Sequence, residues 1–290
     1  MNYLLLIISV ACGVAKNLIS KSGNDKFSWP DGMLFSNIIT ALLAIVIFMS
    51  GKTNFSAMMS PGIIVQAFVL GACTMLSQML HIIAVKNGSV SVCSLIYSCG
   101  FVIPTIFGIA AFGDYVSVTA IIGIIMLMAG IYAVSKPDSG GSNGKKWLIP
   151  AFLAMLSSGM VGIIQKLYRH IYPECGLNEF LVLSFGFMLV MSLVLKLALR
   201  KPCEKEKVEK NGKYWMSMMI LAVSVVAANK LNLYLSGVMS SSIFYPCVNG
   251  GCIVATALSS RVLFREKLTL LQWVGIVGSV IAIILIVLHF

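Results

Sequence analysis

Ten apolar stretches, each about as long as a bilayer is thick, follow one another with little between them, and this succession decides what the chain can fold into. They run over 2–21, 31–50, 62–86, 89–112, 116–135, 147–168, 178–198, 214–236, 240–263 and 268–289. A membrane-crossing helix needs about 20 mostly apolar residues. In lipid only helices or closed barrels satisfy every backbone amide and carbonyl, and long apolar runs without strict alternation select the helix. Composition agrees: 59% of the residues are hydrophobic and 11% charged, against about 25% charged in soluble domains. The short connections leave no room for a soluble domain. The expectation is an all-α integral membrane protein with ten transmembrane helices. The first stretch has no basic region before it and no small-residue cleavage site after it, so it reads as a retained helix rather than a leader.

Charge placement orients the chain. The net charge of +11 does not mark a nucleic-acid partner, because the basic residues sort by membrane face. Connections 1–2, 3–4, 5–6, 7–8 and 9–10 share one face and carry sixteen Lys and Arg, whereas the opposite face carries three. The positive-inside rule makes the charge-rich face cytoplasmic. Both termini then lie outside, the 199–213 loop lies in the cytoplasm, and the protein is a multi-pass plasma-membrane protein. Six of the eight cysteines (12, 73, 93, 99, 247 and 252) fall inside spans as small apolar packing residues. Cys175 and Cys203 fall on opposite faces and cannot pair. No Cys/His spacing suggests a metal, and no cofactor is expected.

The turn-rich run "KPDSGGSNGKK" (136–146) divides the spans five and five. Offsetting the halves by 152 residues lays "FGDYVSVTAIIGI" (112–124) on "FREKLTLLQWVGI" (264–276). Phe112 meets Phe264, Gly123 meets Gly275, and Asp114 meets Glu266. A looser match lays "GVAKNLISK" (13–21) on "SGMVGIIQK" (158–166). Five spans per repeat make the second copy enter the membrane inverted, an arrangement found in transporters with substrate sites between the repeats. The expected organisation is a first repeat at 1–135, a linker at 136–146 and a second repeat at 147–290. Asp114 and Glu266 are expected to cap the helices that follow them.

The motif "F-x-E-K-L-T-x-x-Q-W-x-G-I" ahead of an apolar tail resembles the end of each half in the EamA-like branch of the drug/metabolite transporter superfamily, and "NKLNLYLSGVMSSSIFYPCVNGG" before "LFREKLT" looks like the second-half version of that pattern. Ten spans and the central linker extend the resemblance to the whole chain. It implies two inverted five-helix repeats around a cavity lined by the first, third, fourth, sixth, eighth and ninth helices, with the fifth and tenth at the periphery. The small multidrug-resistance branch uses a membrane-embedded Glu in its first helix. The first span here, "LLLIISVACGVAKNLIS", has none, and all ten acidic residues lie in connections or at span ends. A cation site built on a buried carboxylate is not expected.

Polar residues inside spans are costly, about 2.5–3.5 kcal/mol for Lys at a helix centre, so each calls for a reason. Asn229, Asn232 and Ser236 share a face of span 8, with Lys230 beside them, and the repeat brings Gln78 and His81 of span 3 to the same level. Span 4 adds Ser94, Tyr97 and Ser98, span 6 adds Gln165 and Lys166, and span 9 adds Tyr245 and Asn249. Single serines more often bond helix to helix. Lys16 sits near a span end, where a lysine can snorkel to the interface. Lys230 has asparagine neighbours and no acid at its depth, so its ammonium is expected to attract an anionic substrate group. The substrate-binding candidates are Lys230, Asn229, Asn232, Asn249, Tyr245, Gln78, His81, Tyr97, Lys16 and Gln165. "YPCVNGG" (245–251) reads as a kink at Pro246 with Asn249 turned to solute.

An enzyme is not expected: the chain has no HExxH, no Ser-His-Asp set, no phosphate loop and no paired intramembrane acids. A channel would show a filter repeat. The reading is a secondary transporter, monomer or homodimer, working by alternating access. Its partners are the bilayer, a small-molecule substrate and, as candidate coupling ion, a proton. The substrate is an anionic or zwitterionic metabolite such as an amino acid or a phosphorylated compound. The alternative is export of cationic or neutral amphipathic compounds, with Tyr97 and Tyr245 as aromatic walls.

Overall fold

The computed structural model describes residues 1–22, 31–49, 58–87, 93, 96–135, 147–198, 212–264 and 269–287. The 136–146 linker, 199–211 of the 199–213 loop, Ser94, Cys203 and Glu266 lie outside them. Ten helices follow in chain order: α1 (Asn2–Ser22), α2 (Asp31–Met49), α3 (Pro61–Asn87), α4 (Ile96–Phe112), α5 (Val118–Ser135), α6 (Leu148–Ile171), α7 (Leu177–Ala198), α8 (Gly212–Val238), α9 (Ser241–Phe264) and α10 (Leu270–Val287). No strand occurs among the described residues. Seven of the helices are long and apolar enough to cross a membrane, and apolar stretches of α2, α4 and α5 are shorter.

Pro104 falls midway along α4, and Pro246 near the start of α9. Helix α4 carries a 3-10 turn at Cys99–Phe101, just ahead of Pro104. That is where the missing Pro104 N–H leaves the Gly100 carbonyl without its usual donor. Helix α9 begins at Ser241 and continues through Pro246 as one helix. Pro246 therefore falls early in α9 rather than mid-span, where it removes a single intrahelical bond.

Large apolar side chains cover the outside of the bundle, as on α5 (Ile121, Ile122, Ile125, Met128) and α10 (Val274, Val277, Ile281, Ile284). Inside, the apolar residues form two main bodies. One joins α2, α3, α6, α7 and α8 through Ala41, Leu70, Tyr168, Phe180 and Leu233; the Tyr168 and Phe180 rings stack at 3.8 Å between centroids. The other joins α1, α4, α5, α9 and α10 through Leu6, Phe101, Leu127, Phe244 and Ile286, with Leu235 reaching in from α8.

Helices α5 and α10 pack against each other along their length and join the bundle through α9, the peripheral position that the resemblance implies. Small residues allow that close approach. A Cβ on Gly123 would meet the Ile286 side chain at 2.7 Å, and one on Gly130 would meet the Gly275 carbonyl at 2.8 Å. The contacts α1–α8 and α3–α6 correspond under exchange of the halves, as do α1–α9 and α4–α6.

Candidate substrate site

The polar side chains of the spans gather along the seam between the two bodies. Position on each helix determines which of them reach it. Ser9 and Lys16 are seven residues apart and so share a face of α1. The Ser9 hydroxyl donates to Asn232 Oδ1 at 2.6 Å. Asn232 lies three residues from Asn229, whose Oδ1 accepts from Gln165 Nε2 at 3.3 Å and whose Nδ2 donates to the Val225 carbonyl at 2.9 Å. Gln165 is 3% exposed. Three helices, α1, α6 and α8, are thus joined by amide and hydroxyl groups alone.

One face of α3 presents Ser77 and His81 to Tyr97 of α4. The Ser77 hydroxyl donates to the Tyr97 oxygen at 3.2 Å, and the His81 and Tyr97 rings lie 4.6 Å apart. Glycines let α4 in turn approach α6 closely: a Cβ on Gly100 would meet the Met155 carbonyl of α6 at 2.8 Å, and one on Gly159 would meet Ile103 of α4 at 2.6 Å. His81 Nδ1 is buried with no hydrogen-bond partner. Lys16 is half-buried on the face of α1 that carries Ser9. Among the described residues Lys16 has no ion-pair partner. Gln78 is half-buried one residue beyond Ser77.

Lys230 is placed differently. Consecutive helical residues point about 100° apart, so adjacency to Asn229 does not make Lys230 share its face. Lys230 continues the stripe of Met216, Met219 and Val223, which are exposed on the outside of α8, but is itself half-buried, as Lys16 is. The asparagines point the other way.

The stretch 245–251 is used mostly for packing. Tyr245 is buried, and its hydroxyl donates to the Gly162 carbonyl of α6 at 2.7 Å. A Cβ on Gly250 would meet Leu127 of α5 at 2.7 Å, and one on Gly251 would meet Val10 of α1 at 3.3 Å. Asn249 stays half-buried, its Nδ2 donating to the Tyr245 carbonyl at 3.0 Å.

At the charge-poor face a second polar group ties the helix ends together. Gly113 closes α4 in the left-handed conformation (φ 63°), and the Asp114 N–H returns to the Gly108 carbonyl at 3.3 Å, the Schellman-type ending that glycine favours. This turn points Asp114 at the start of α9, where Oδ2 accepts the Ser241 N–H at 2.8 Å. Lys166 of α6 reaches the same oxygen at 3.0 Å and donates to the Met239 carbonyl at 3.3 Å. Asp114 does cap a helix, but the helix is α9 rather than the α5 that follows it in sequence. Burial alone would raise the Asp114 carboxyl. The Ser241 contacts and Lys166 more than offset it, holding the group below the usual carboxylate range. From this tie α9 runs mostly buried as far as Gly250 and then half-exposed over most of 251–259.

Sequence reasoning missed Ser9, although its seven-residue spacing from Lys16 was a usable signal. It also missed Asn37, whose amide donates to Ser192 at 2.7 Å between α2 and α7, and Asn17, which meets Thr256 at 3.3 Å near the charge-rich end. Among the described residues no group of three or more His, Cys, Asp or Glu could hold a metal ion.

The model of the EamA-like transporter family matches residues 145–288, which is α6 through α10. This chain belongs to the EamA-like transporter family, within the drug/metabolite transporter superfamily. It is therefore a multi-pass membrane transporter of small solutes and not an enzyme. Among solved structures, a crystal structure of a protein superposes with a TM-score of 0.78, covering 98% of this chain and 95% of its own at 13% identity. That likeness concerns the fold alone. No curated protein matches this EamA-like chain by sequence.

Proposed function

We propose that this EamA-like protein is a secondary transporter for a small anionic or zwitterionic metabolite, working by alternating access along the seam between its two apolar bodies. The observation that carries this reading is the charge balance of the seam. Lys16 shares the Ser9 face and has no carboxylate partner among the described residues. An ammonium in an apolar setting without a counter-ion favours an anion that can supply one. Gln165, Asn229, Asn232 and Asn249 offer neutral hydrogen-bonding groups to the rest of the solute. Here the Asp114–Lys166 tie closes the charge-poor end, and solute reaches the seam from the charge-rich side.

Counterflow in proteoliposomes tests this. Vesicles preloaded with a mixed pool of organic acids and amino acids, then diluted into a trace of one labelled member, should accumulate label transiently above equilibrium. Such an overshoot requires a carrier that faces one side at a time. Overshoot with organic cations alone would favour the multidrug-like alternative, and equilibration without overshoot would indicate a pore.

A further inference from the structure

The charge-poor end of the bundle already holds a carboxylate, that of Asp114, and the groups around it are those an anionic solute would need. Its Oδ2 accepts the N–H of Ser241, the first residue of α9, at 2.8 Å and the Lys166 ammonium of α6 at 3.0 Å, while Oδ1 lies 3.5 Å from the same ammonium. That ammonium also donates to the Met239 carbonyl at 3.3 Å. A helix start favours an anion because its leading N–H groups have no partner within the helix, and here a buried ammonium adds a full charge. The Ser241 hydroxyl lies beside the same carboxylate, yet it is wholly buried and makes no hydrogen bond of good geometry. Gly108 of α4 leaves room for this arrangement, since a Cβ there would strike the Ser241 hydroxyl and come within 2.9 Å of Asp114 Oδ2. A buried hydroxyl without a partner calls for an explanation, and a carboxylate free to turn would accept its proton. Asp114 is not free to turn, because it follows Gly113 on the short connection to α5. The next residue on that connection, Tyr115, is 75% exposed, and its carbonyl accepts the Ser242 hydroxyl at 3.1 Å. An outward swing of the connection would break this bond and lift Asp114 away together.

We infer that Lys166 and the start of α9 form a carboxylate seat at the charge-poor end, filled by Asp114 while that end is closed and by the carboxylate of a solute once the connection after α4 swings away. Asp114 is then a tethered stand-in for the solute. Its tether keeps it at a high effective concentration, so a free carboxylate enters the seat only when the end opens. This inference rests on the transporter reading above and gives the solute its contact at that end.

The test is chemical rescue of an emptied seat, read as thermal unfolding of the purified full chain in detergent. Sodium acetate is titrated against sodium chloride at equal ionic strength, with acetamide as the neutral isostere. Asp114→Ala removes the resident carboxylate and strands Lys166. Acetate should raise its unfolding temperature and recover about half or more of its deficit from wild type, as binding to the folded state does by mass action. Asp114→Ser, whose side chain is too short to fill the seat, should respond in the same way and replaces Asp114→Ala if that variant does not survive extraction. The wild type, with its seat filled, should not respond to acetate beyond chloride, and neither should the double variant Asp114→Ala with Lys166→Met. The organic acid that overshoots in counterflow should rescue Asp114→Ala at a concentration about tenfold or more below that of acetate, because its remaining atoms add contacts. Equal rescue by chloride or acetamide, rescue that persists without Lys166, or no rescue of either single variant would overturn the seat. Rescue by acetate but not by the overshooting acid would overturn its use by the solute. Acetate rescue with no overshoot from any organic acid would leave the seat standing and overturn the anionic transporter reading instead.

Discussion

Removing the Asp114 charge should cost more than a surface ion pair is worth, and the cost should shrink when Lys166 is removed with it. The side chains of Lys166 and Asp114 are only 12% and 15% exposed, so the pair is mostly buried. Breaking a buried pair from one side costs about 3–5 kcal/mol, chiefly because the remaining charge is stranded. Residual exposure puts Asp114→Asn at the lower end, about 3 kcal/mol. Asn still caps a helix, so that variant isolates the charge, and Asp114→Ala should lose about 1 kcal/mol more with the α9 cap. Lys166→Met should cost less than Asp114→Asn, because the stranded carboxylate keeps the Ser241 N–H. The double variant Asp114→Asn with Lys166→Met leaves no charge behind, and its cost should fall short of the sum of the single variants by about 2 kcal/mol or more. Reversible unfolding in mixed detergent micelles measures all four proteins. Acid provides a second readout. A carboxyl held below its unfolded value of about 3.9 contributes stability that is complete above that pH and is lost as pH falls through the folded value. The wild type should therefore weaken on acidification below about pH 4 more steeply than Asp114→Asn. Strict additivity of the single variants, or identical acid profiles, would show that the 3.0 Å contact does not hold the charge-poor end together.

Other consequences can be measured independently. Lys230→Met should transport within about twofold of wild type, since the half-buried Lys230 continues the outward stripe of Met219 and Val223 on α8 and no ion pair is lost with it among the described residues; loss of transport with an intact fold would return the substrate role to Lys230. Gly130→Leu should destabilise by about 1–3 kcal/mol or more, because its side chain would run into Ser279 and the Gly275 carbonyl. Gly186→Ala, with nothing within 4 Å of its Cβ, should be neutral or stabilising by up to about 1 kcal/mol. An unchanged unfolding midpoint for Gly130→Leu would mean that α5 and α10 do not depend on close contact. Cys203 should resist an impermeant maleimide in intact cells and label after permeabilisation, judged against Cys203→Ser; ready labelling from outside would invert the orientation drawn from the charges.

The helices were legible because membrane burial is written in long apolar runs, and observed ends such as Leu177–Ala198 and Val118–Ser135 fall within a few residues of those expected. Facing was harder to read. Lys230 drew attention by standing next to Asn229, yet neighbours in a helix diverge by about 100°, and the relation that showed in a contact was the one between Ser9 and Asn232. The span holding Pro246 was expected at 240–263, and α9 starts at Ser241, so the proline lies near the helix start in both. The partner of Asp114 was hidden for another reason. Its cap joins residues 127 positions apart, and no local pattern reports such a contact. The amide network was half visible: Asn229 and Asn232 announced a polar face, but Ser9 looked like one more serine in an apolar helix.

The two apolar bodies do not coincide with the two halves of the sequence. The chain leaves one body for the other between α1 and α2, between α3 and α4, between α5 and α6, and between α8 and α9. Each body is thus woven from both halves, and neither can be pulled away by stretching one tether. The α8–α9 crossing is the tightest described, with only Met239 and Ser240 between the helices, and its Met239 carbonyl is held by Lys166. Any rocking of the bodies must bend the backbone at those two residues, so a side chain that stiffens them would act as a brake on turnover while leaving every group in the seam untouched.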